Sequence, residues 1–293
     1  KLAAGLKSLA TDSRFQTLSY SLPQYTAVFF NTDAVKLKNQ KVRVALVKLV
    51  DKDALISQLE DRIRVDTPLM ELNQQEWLYK PDENEANGAL FDAGYKFKKD
   101  DKGNILEGET YRRDKDDQEF ELNLVIRQFE PGSAQDQEAQ KTVAFLVESW
   151  KKGGVKVVPN WLDEAAFTEA IRNKQYDMLL AGQSMGYNLD TYPFWHSSQA
   201  KADGINLSNY RSFAADSQIE KIRSTFDKDE KEERQKKLAE ILSADVPALF
   251  LYRPNYLFLT DGKVQNITLD NLSFESDRFI HIADWCIGKE CNN

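Results

Sequence analysis

The 293-residue chain is short of the residues that most often carry cross-links or chemistry. It has two cysteines, two histidines and three methionines. Cys286 and Cys291 stand close together near the end. They suit a small disulfide loop in an oxidising compartment, and two cysteines alone do not decide whether they are bridged. A site of cysteine and histidine ligands needs more donors at closer spacing, so no metal is expected. No apolar run reaches the roughly twenty residues that span a bilayer. The opening KLAAGLKSLATDS has too short and too polar an apolar core for a secretory leader. The chain is therefore read as cytosolic, as one whose leader has been removed, or as a fragment. Basic stripes are missing too: 39 Lys and Arg face 47 Asp and Glu, spread along the chain for a net charge of −8. That balance argues against nucleic acid as a partner. There is no P-loop, no dinucleotide glycine fingerprint and no HExxH, and no internal repeat or low-complexity segment.

What is present is a chain long enough for one large domain or two ordinary ones, with 41% hydrophobic residues to build a core. Residues 15–31 read as strand, Pro-marked turn, strand, with Tyr25–Phe30 apolar enough for burial on both faces. Val42–Leu59 reads as one amphipathic helix. Glu85–Ala93 reads as a short helix ended by Gly94, and the charge run Lys98–Asp117 as a solvated hairpin or loop. From Phe120 the pattern alternates strand and helix. Strands are expected at Phe120–Ile126, Val155–Val158 and Tyr176–Ala181, with helices at Asp136–Lys152 and from an Asp163 N-cap to Arg172. This is a βαβαβ unit, so the three strands should be parallel. Two helices, Asp216–Phe226 and Asp229–Ser243, and two strands around Arg253-Pro254-Asn255 complete the reading.

Ligands of parallel sheets bind beyond the carboxyl ends of strands. The stretch after Ala181 starts at such an end and is neither helix nor strand by period. It places Tyr187, Tyr192, Phe194, Trp195 and Tyr210 among Gln183, Asn188, Asp190, His196 and Asn209. Aromatic contact area with interleaved polar anchors is pocket material, and the same mixture also makes a loop pinned by core aromatics. Trp195 is divided between pocket wall and core. His196 is read as a neutral side chain hydrogen-bonded within the loop, with direct ligand contact as the other reading.

Gly182-Gln183-Ser184-Met185-Gly186 also fits G-x-S-x-G after a strand, the nucleophile elbow of serine hydrolases. The order Ser184, Asp277, His281 would permit a triad. An elbow must run straight into a helix, however, and YNLDTYP begins one poorly.

Several stretches, in order, resemble the second half of a family 5 extracellular solute-binding protein, the peptide- and nickel-binding receptor type of ABC importers. They are FFNTDAVKLKNQKVRVALVKLVDKDALI, DENEANGALFDAGYKFKKDDKGN, the βαβ from 120 to 181, LDTYPFWHSSQAKADGINLSNY and ALFLYRPNYLFLTDGKV. The likeness runs from about residue 15 to 285. The LDTYPFWHSSQ piece is its most specific part. Peptide receptors of this family often carry W-x-x-D-x-x-D/E-P, whose middle Asp pairs with a peptide ammonium. Aligned on Asp190-Thr191, this chain has Ser184 for the Trp, Tyr187 for that Asp and Thr191 for the Pro. Lys52 stands where the family usually has Arg.

The resemblance implies an α/β fold of the type II periplasmic-binding-protein kind, with βαβ units and a mixed sheet. Residues 32–254 would form lobe two. Residues 1–31 and 255–293 would be a remnant and crossover, and return strands and tail, belonging to lobe one. It implies a receptor that closes on a peptide or similar small solute, delivers it to permease subunits, and needs no cofactor and no catalytic residue. The expected location is periplasmic or extracellular, with the membrane reached only through an N-terminal anchor. The expected ligand contacts are Gln183, Tyr187, Asn188, Asp190, Trp195 and His196, and the expected hinge is Phe30, Asn31, Arg253 and Pro254. Two alternatives stand beside it: a serine hydrolase using Ser184, and a cytoplasmic transcription regulator built on the same sensing domain.

Overall fold

The structure, a computed structural model, describes residues 12–77, 79–270 and 272–288. The chain opens with β1 (Phe15–Tyr20) and β2 (Gln24–Phe30). Helices α1 (Gln40–Lys48) and α2 (Lys52–Ser57) and the short strand β3 (Arg62–Arg64) follow. After α3 (Glu83–Asp92) comes the alternating run β4 (Glu121–Arg127), α4 (Ala134–Lys152), β5 (Lys156–Leu162), α5 (Glu164–Asn173) and β6 (Met178–Ser184). One short turn of helix, α6 (Tyr192–Trp195), leads to α7 (Phe213–Ser224) and α8 (Lys228–Asp245). Strands β7 (Ala248–Pro254), β8 (Tyr256–Asp261), β9 (Val264–Gln265) and β10 (Cys286–Ile287) end it.

Each helix of the alternating run starts where a side chain can take an orphan amide. The Ser133 hydroxyl accepts from the Asp136 N–H at 3.1 Å, and the Asp163 carboxylate accepts from the Ala166 N–H at 2.8 Å. Helix α4 stops at Gly153-Gly154, where a side chain at Gly154 would collide with the Phe97 ring. The single helix expected over Val42–Leu59 is instead two helices. Asp51 takes the Ala54 N–H at 3.0 Å and caps a fresh start, so the chain turns between Leu49 and Lys52 while the apolar spacing continues.

Six strands form one mixed sheet in the order β3-β7-β2-β6-β4-β5. β4 is parallel to both β5 and β6, as the βαβαβ reading requires. β2 lies antiparallel between β6 and β7, and β3 is antiparallel to β7. Both faces are covered. One core packs Val42, Leu46, Leu55, Leu90, Leu146 and Trp150 on the sheet, and the Trp150 indole donates to the Leu46 carbonyl at 2.8 Å. The other packs Ile219, Leu238, Leu242 and Trp195 on the opposite face. Lys52 and Asp66 form a buried ion pair, and Arg64 joins Asp66 through Nε at 2.7 Å, tying α2 to the segment after β3. The charge run from Lys98 to Asp117 is an exposed loop held by isolated bridges such as Lys96 to Arg113.

Outside this sheet lie two small ones. β1 pairs antiparallel with β8, and β9 with β10. Their core holds Tyr20, Leu22 and Leu272, with Tyr256, Phe258 and Leu269 packed against it. The chain passes between the large sheet and the small one at residues 21–23 and at Asn255. No described helix is long and apolar enough to cross a membrane. The pairing considered for Cys286 and Cys291 reaches Cys291, which lies outside the described residues.

Candidate functional site

One edge of the large sheet collects the carboxyl ends of β4, β5 and β6, the start of β2 and the end of β7. Ser184 faces Gln24 there, and Thr26 faces Tyr252 two residues before Pro254. The chain crosses to the small sheet at this same edge, where Gln24 Nε2 donates to the Tyr256 hydroxyl at 2.7 Å. The antiparallel pairing of β2 with β7 corrects half of the expected hinge. Phe30 and Asn31 sit at the opposite edge, with the Phe30 N–H on the Pro247 carbonyl at 3.0 Å and the Asn31 N–H on the Asp177 carbonyl at 2.9 Å. Arg253 and Pro254 do lie at the crossing, and the partner segment is 21–23.

The loop after β6 divides into an open part and a structural part. Strand β6 ends at Ser184, the Met185 N–H reaches the Pro23 carbonyl at 2.8 Å, and Gly186 takes a positive φ of 64° to turn the chain outward. Tyr187 is 60% exposed. Its hydroxyl donates to Asp277 Oδ1 at 2.8 Å, and its ring meets Phe274 edge-on with centroids 5.0 Å apart. Tyr187 therefore touches the segment between β9 and β10. Asp277 is buried and its other oxygen accepts the Ser273 and Phe274 N–H groups at 2.9 and 2.8 Å. These backbone bonds hold its carboxyl below the usual range, and the carboxylate in turn raises the Tyr187 phenol. Asn188 is exposed, and half-buried Asp190 caps the Tyr192 N–H at 3.0 Å and pairs with Arg223 at 3.4 Å.

The other expected contacts are turned inward. Gln183 is buried; its oxygen accepts from the Tyr25 hydroxyl at 2.5 Å and its nitrogen donates to the Ile205 carbonyl at 3.3 Å. Burial pushes the Tyr25 phenol up. Trp195 has no exposed surface and packs on Phe29 and Phe250, so the pocket-wall role expected of it is corrected to core packing. Pro193 in the first turn suits the start of α6, which carries the indole inward. His196 is almost enclosed: Nδ1 lies 2.9 Å from the Ser198 hydroxyl, Nε2 lies 3.4 Å from Glu220, and the ring stacks on Tyr192. The far half of the loop is a buried clamp at the opposite edge. Asn209 Nδ2 donates to Asn31 Oδ1 at 3.0 Å, the Ser208 hydroxyl to the Pro247 carbonyl at 2.8 Å, and the Tyr210 hydroxyl to Asp245.

Ser184 is exposed in the last position of a strand, and a turn follows it instead of a helix. None of the described hydrogen bonds joins it to a histidine; His281 faces Asp270 and Asp284. The oxyanion geometry of an elbow is therefore not built here. Among the described residues no group of three or more His, Cys, Asp or Glu is placed to hold a metal ion. A groove of about 600 Å³ opens at the ends of β4 and β5, walled by Phe129, Pro131, Val143, Val147 and Trp161. Its signal in the sequence is Phe129-Glu130-Pro131 directly after a parallel strand, which the aromatic loop outshone.

The comparisons with known proteins agree with this architecture. The model for bacterial extracellular solute-binding proteins, family 5 (Middle), matches residues 3–204. The oligopeptide-binding protein AppA of Bacillus subtilis (strain 168) is 27% identical over 243 residues, which cover 79% of this chain and 41% of AppA. The solved structure of AppA from Bacillus subtilis in complex with a nonapeptide superposes with a TM-score of 0.71 at 21% identity, over 98% of this chain and 55% of that one. NikZ from Campylobacter jejuni in complex with Ni(L-His) superposes with a TM-score of 0.73 at 22% identity, over 96% and 55%. The chain thus spans about half the length of the relatives it matches. The match contains the Gly182–Gly186 pentapeptide and supports neither the hydrolase nor the regulator. With 3–204 of its residues inside the family model, the chain belongs to the bacterial extracellular solute-binding proteins of family 5.

Proposed function

We propose that this chain belongs to the substrate-binding component of an ABC importer, receiving a peptide or similar small solute between two lobes. Residues 24–254 are the ligand-receiving lobe two, with β2 inside its sheet, and the small sheets within residues 12–20 and 256–288 belong to lobe one. The observation that carries this reading is the sheet edge at the crossing. There the outward loop with Tyr187 and Asn188 meets the Phe274–Asp277 segment of the small unit. Side chains that bridge two units beyond the carboxyl ends of parallel strands are placed where closure encloses a ligand. Gln183 and Asp190 support that edge from behind. AppA, a relative by sequence, is an oligopeptide-binding protein, which favours peptides as the solute class. The receptor would work in the periplasm or at the outer cell surface, tethered by an N-terminal anchor, hand its solute to permease subunits and catalyse nothing. The test is to expose the full-length protein to a defined peptide mixture, dialyse, denature and identify released peptides by mass spectrometry. A retained subset is expected. In Tyr187→Ala retention should fall about tenfold, as for loss of an aromatic anchor. No retention of any peptide would remove the peptide reading.

A further inference from the structure

The arginines of this acidic chain are nearly all spoken for. Arg14, Arg62, Arg64, Arg113, Arg127, Arg172, Arg211, Arg223 and Arg234 ion-pair with carboxylates. Arg43, Arg112 and Arg278 donate to carbonyl oxygens. Arg253 is the exception among the described residues. Its one polar contact is Nη1 on the Met70 sulfur at 3.9 Å, a weak acceptor. Its Nε–H is shut off from solvent and has no acceptor at all. Burial lowers its pKa, with no carboxylate opposing the shift. An uncompensated, half-buried cation costs stability that a chain with 47 acidic residues had ample means to relieve.

Its place in the fold explains the exception. Arg253 is the last residue but one of β7, at the crossing edge. Its neighbour Tyr252 faces the α4 side, where the hydroxyl lies 2.9 Å from that of Thr142. Arg253 points to the other face, toward Met70, the face that also carries Tyr25 and Phe250. A guanidinium presents a planar fork that fits a carboxylate bidentately, and a peptide's free terminus supplies one. The position aligned with the family's ammonium-pairing Asp is Tyr187, a neutral phenol.

We propose that Arg253 is the anion anchor of the solute site and receives the terminal carboxylate of the bound solute. The inference rests on the solute-binding reading and narrows it: the ligand is held by its carboxylate end and not by its ammonium end. The test uses the full-length protein and two probes, tetra-alanine with a free carboxyl terminus and the same peptide as its C-terminal amide, each titrated calorimetrically. Wild type should bind the acid about tenfold or more tightly than the amide, the scale of a charge-assisted hydrogen bond. Arg253→Gln should lose that preference and bind the amide as wild type does, and Arg253→Lys should keep part of it. An unchanged preference in Arg253→Gln, or an equal loss for both peptides, would overturn the proposal. If neither peptide binds wild type, the anchor is tested alone, by the Arg253 Nε–H NMR signal during titration with acetate. A saturable shift supports the anchor, and a signal that does not move overturns it.

Discussion

The six-stranded unit and the two small sheets are built to different standards. The large unit buries entire strands: Ala27, Val28, Phe29 and Phe30 are at most 1% exposed. Its polar core groups are matched too, as with Asn31 between Tyr176 and Asn209. Among the described residues the small unit's core holds three buried apolar side chains, and β8 is only half-covered along its length. Ile280, Ile282 and Ile287 stand 56–68% exposed in it. Its aromatic cluster of Phe258, Phe279 and Trp285 has centroids 5.8–6.1 Å apart. One unit closes its own core. The other leaves much of its described apolar surface exposed, and in the proposed two-lobed receptor lobe one would cover it.

That contrast can be broken by substitution. Trp150→Ala removes a fully buried indole and its bond to Leu46, and should cost about 3–5 kcal/mol in a urea titration. Asp66→Ala strands the buried Lys52 ammonium, while Arg64 keeps Asp53, and should cost about 3 kcal/mol. Phe258→Ala, in the half-covered cluster, should cost only about 1 kcal/mol. Equal losses for Trp150 and Phe258 would erase the distinction between the units.

A subtler mark of the large unit is its response to alkali. Burial lowers Lys52 from 10.5 to about 8, although pairing with Asp66 works against the shift. Between those values the unfolded chain holds a proton that the folded chain has given up, so stability should rise with pH from about 8 toward 10.5. Below about 8 both states are protonated and this contribution is flat. Urea midpoints measured across the range should show the slope in wild type and lose it in Lys52→Met. The smallest effect concerns the joint. Tyr187→Phe keeps the ring on Phe274 and removes the bond to Asp277. Limited proteolysis should cut the 262–284 segment faster in that variant while the melting of the large unit stays put. Unchanged cleavage would mean that the hydroxyl does not help to fasten the two units.

The alternating half was legible because its periods are clean and its caps are spelled out. Asp163 reads as an N-cap and is one, and Gly153-Gly154 reads as a stop and is one. The break after α1 was not legible, since Leu49, Val50 and Leu55 keep helical spacing across it and only the Asp51 carboxylate decides. The crossing between the sheets was half legible: the sequence put it at Phe30 and Asn31 on one side and at Arg253 and Pro254 on the other, and only the pairing of β2 with β7 shows that the other end of β2 lies beside Pro254. Trp195 misled because an aromatic run looks the same whether the next turn carries it in or out. Tyr187 and Asp277 are 90 positions apart, and nothing in either neighbourhood points to the other.

The position of β2 has a consequence in time. This strand, made early, sits in the middle of the sheet, and Ala27 pairs with both Ala181 and Phe250. During synthesis the parallel strands β4, β5 and β6 can assemble as soon as they emerge, but the seat beside them for β7 exists only once β2 has docked. The sheet is finished only when β7 leaves the ribosome. Pairings this distant along the chain form late, after much loop entropy has been spent. A polypeptide that stays incomplete until its last strands appear remains threadable for longer, which would suit the export that the proposed receptor role requires.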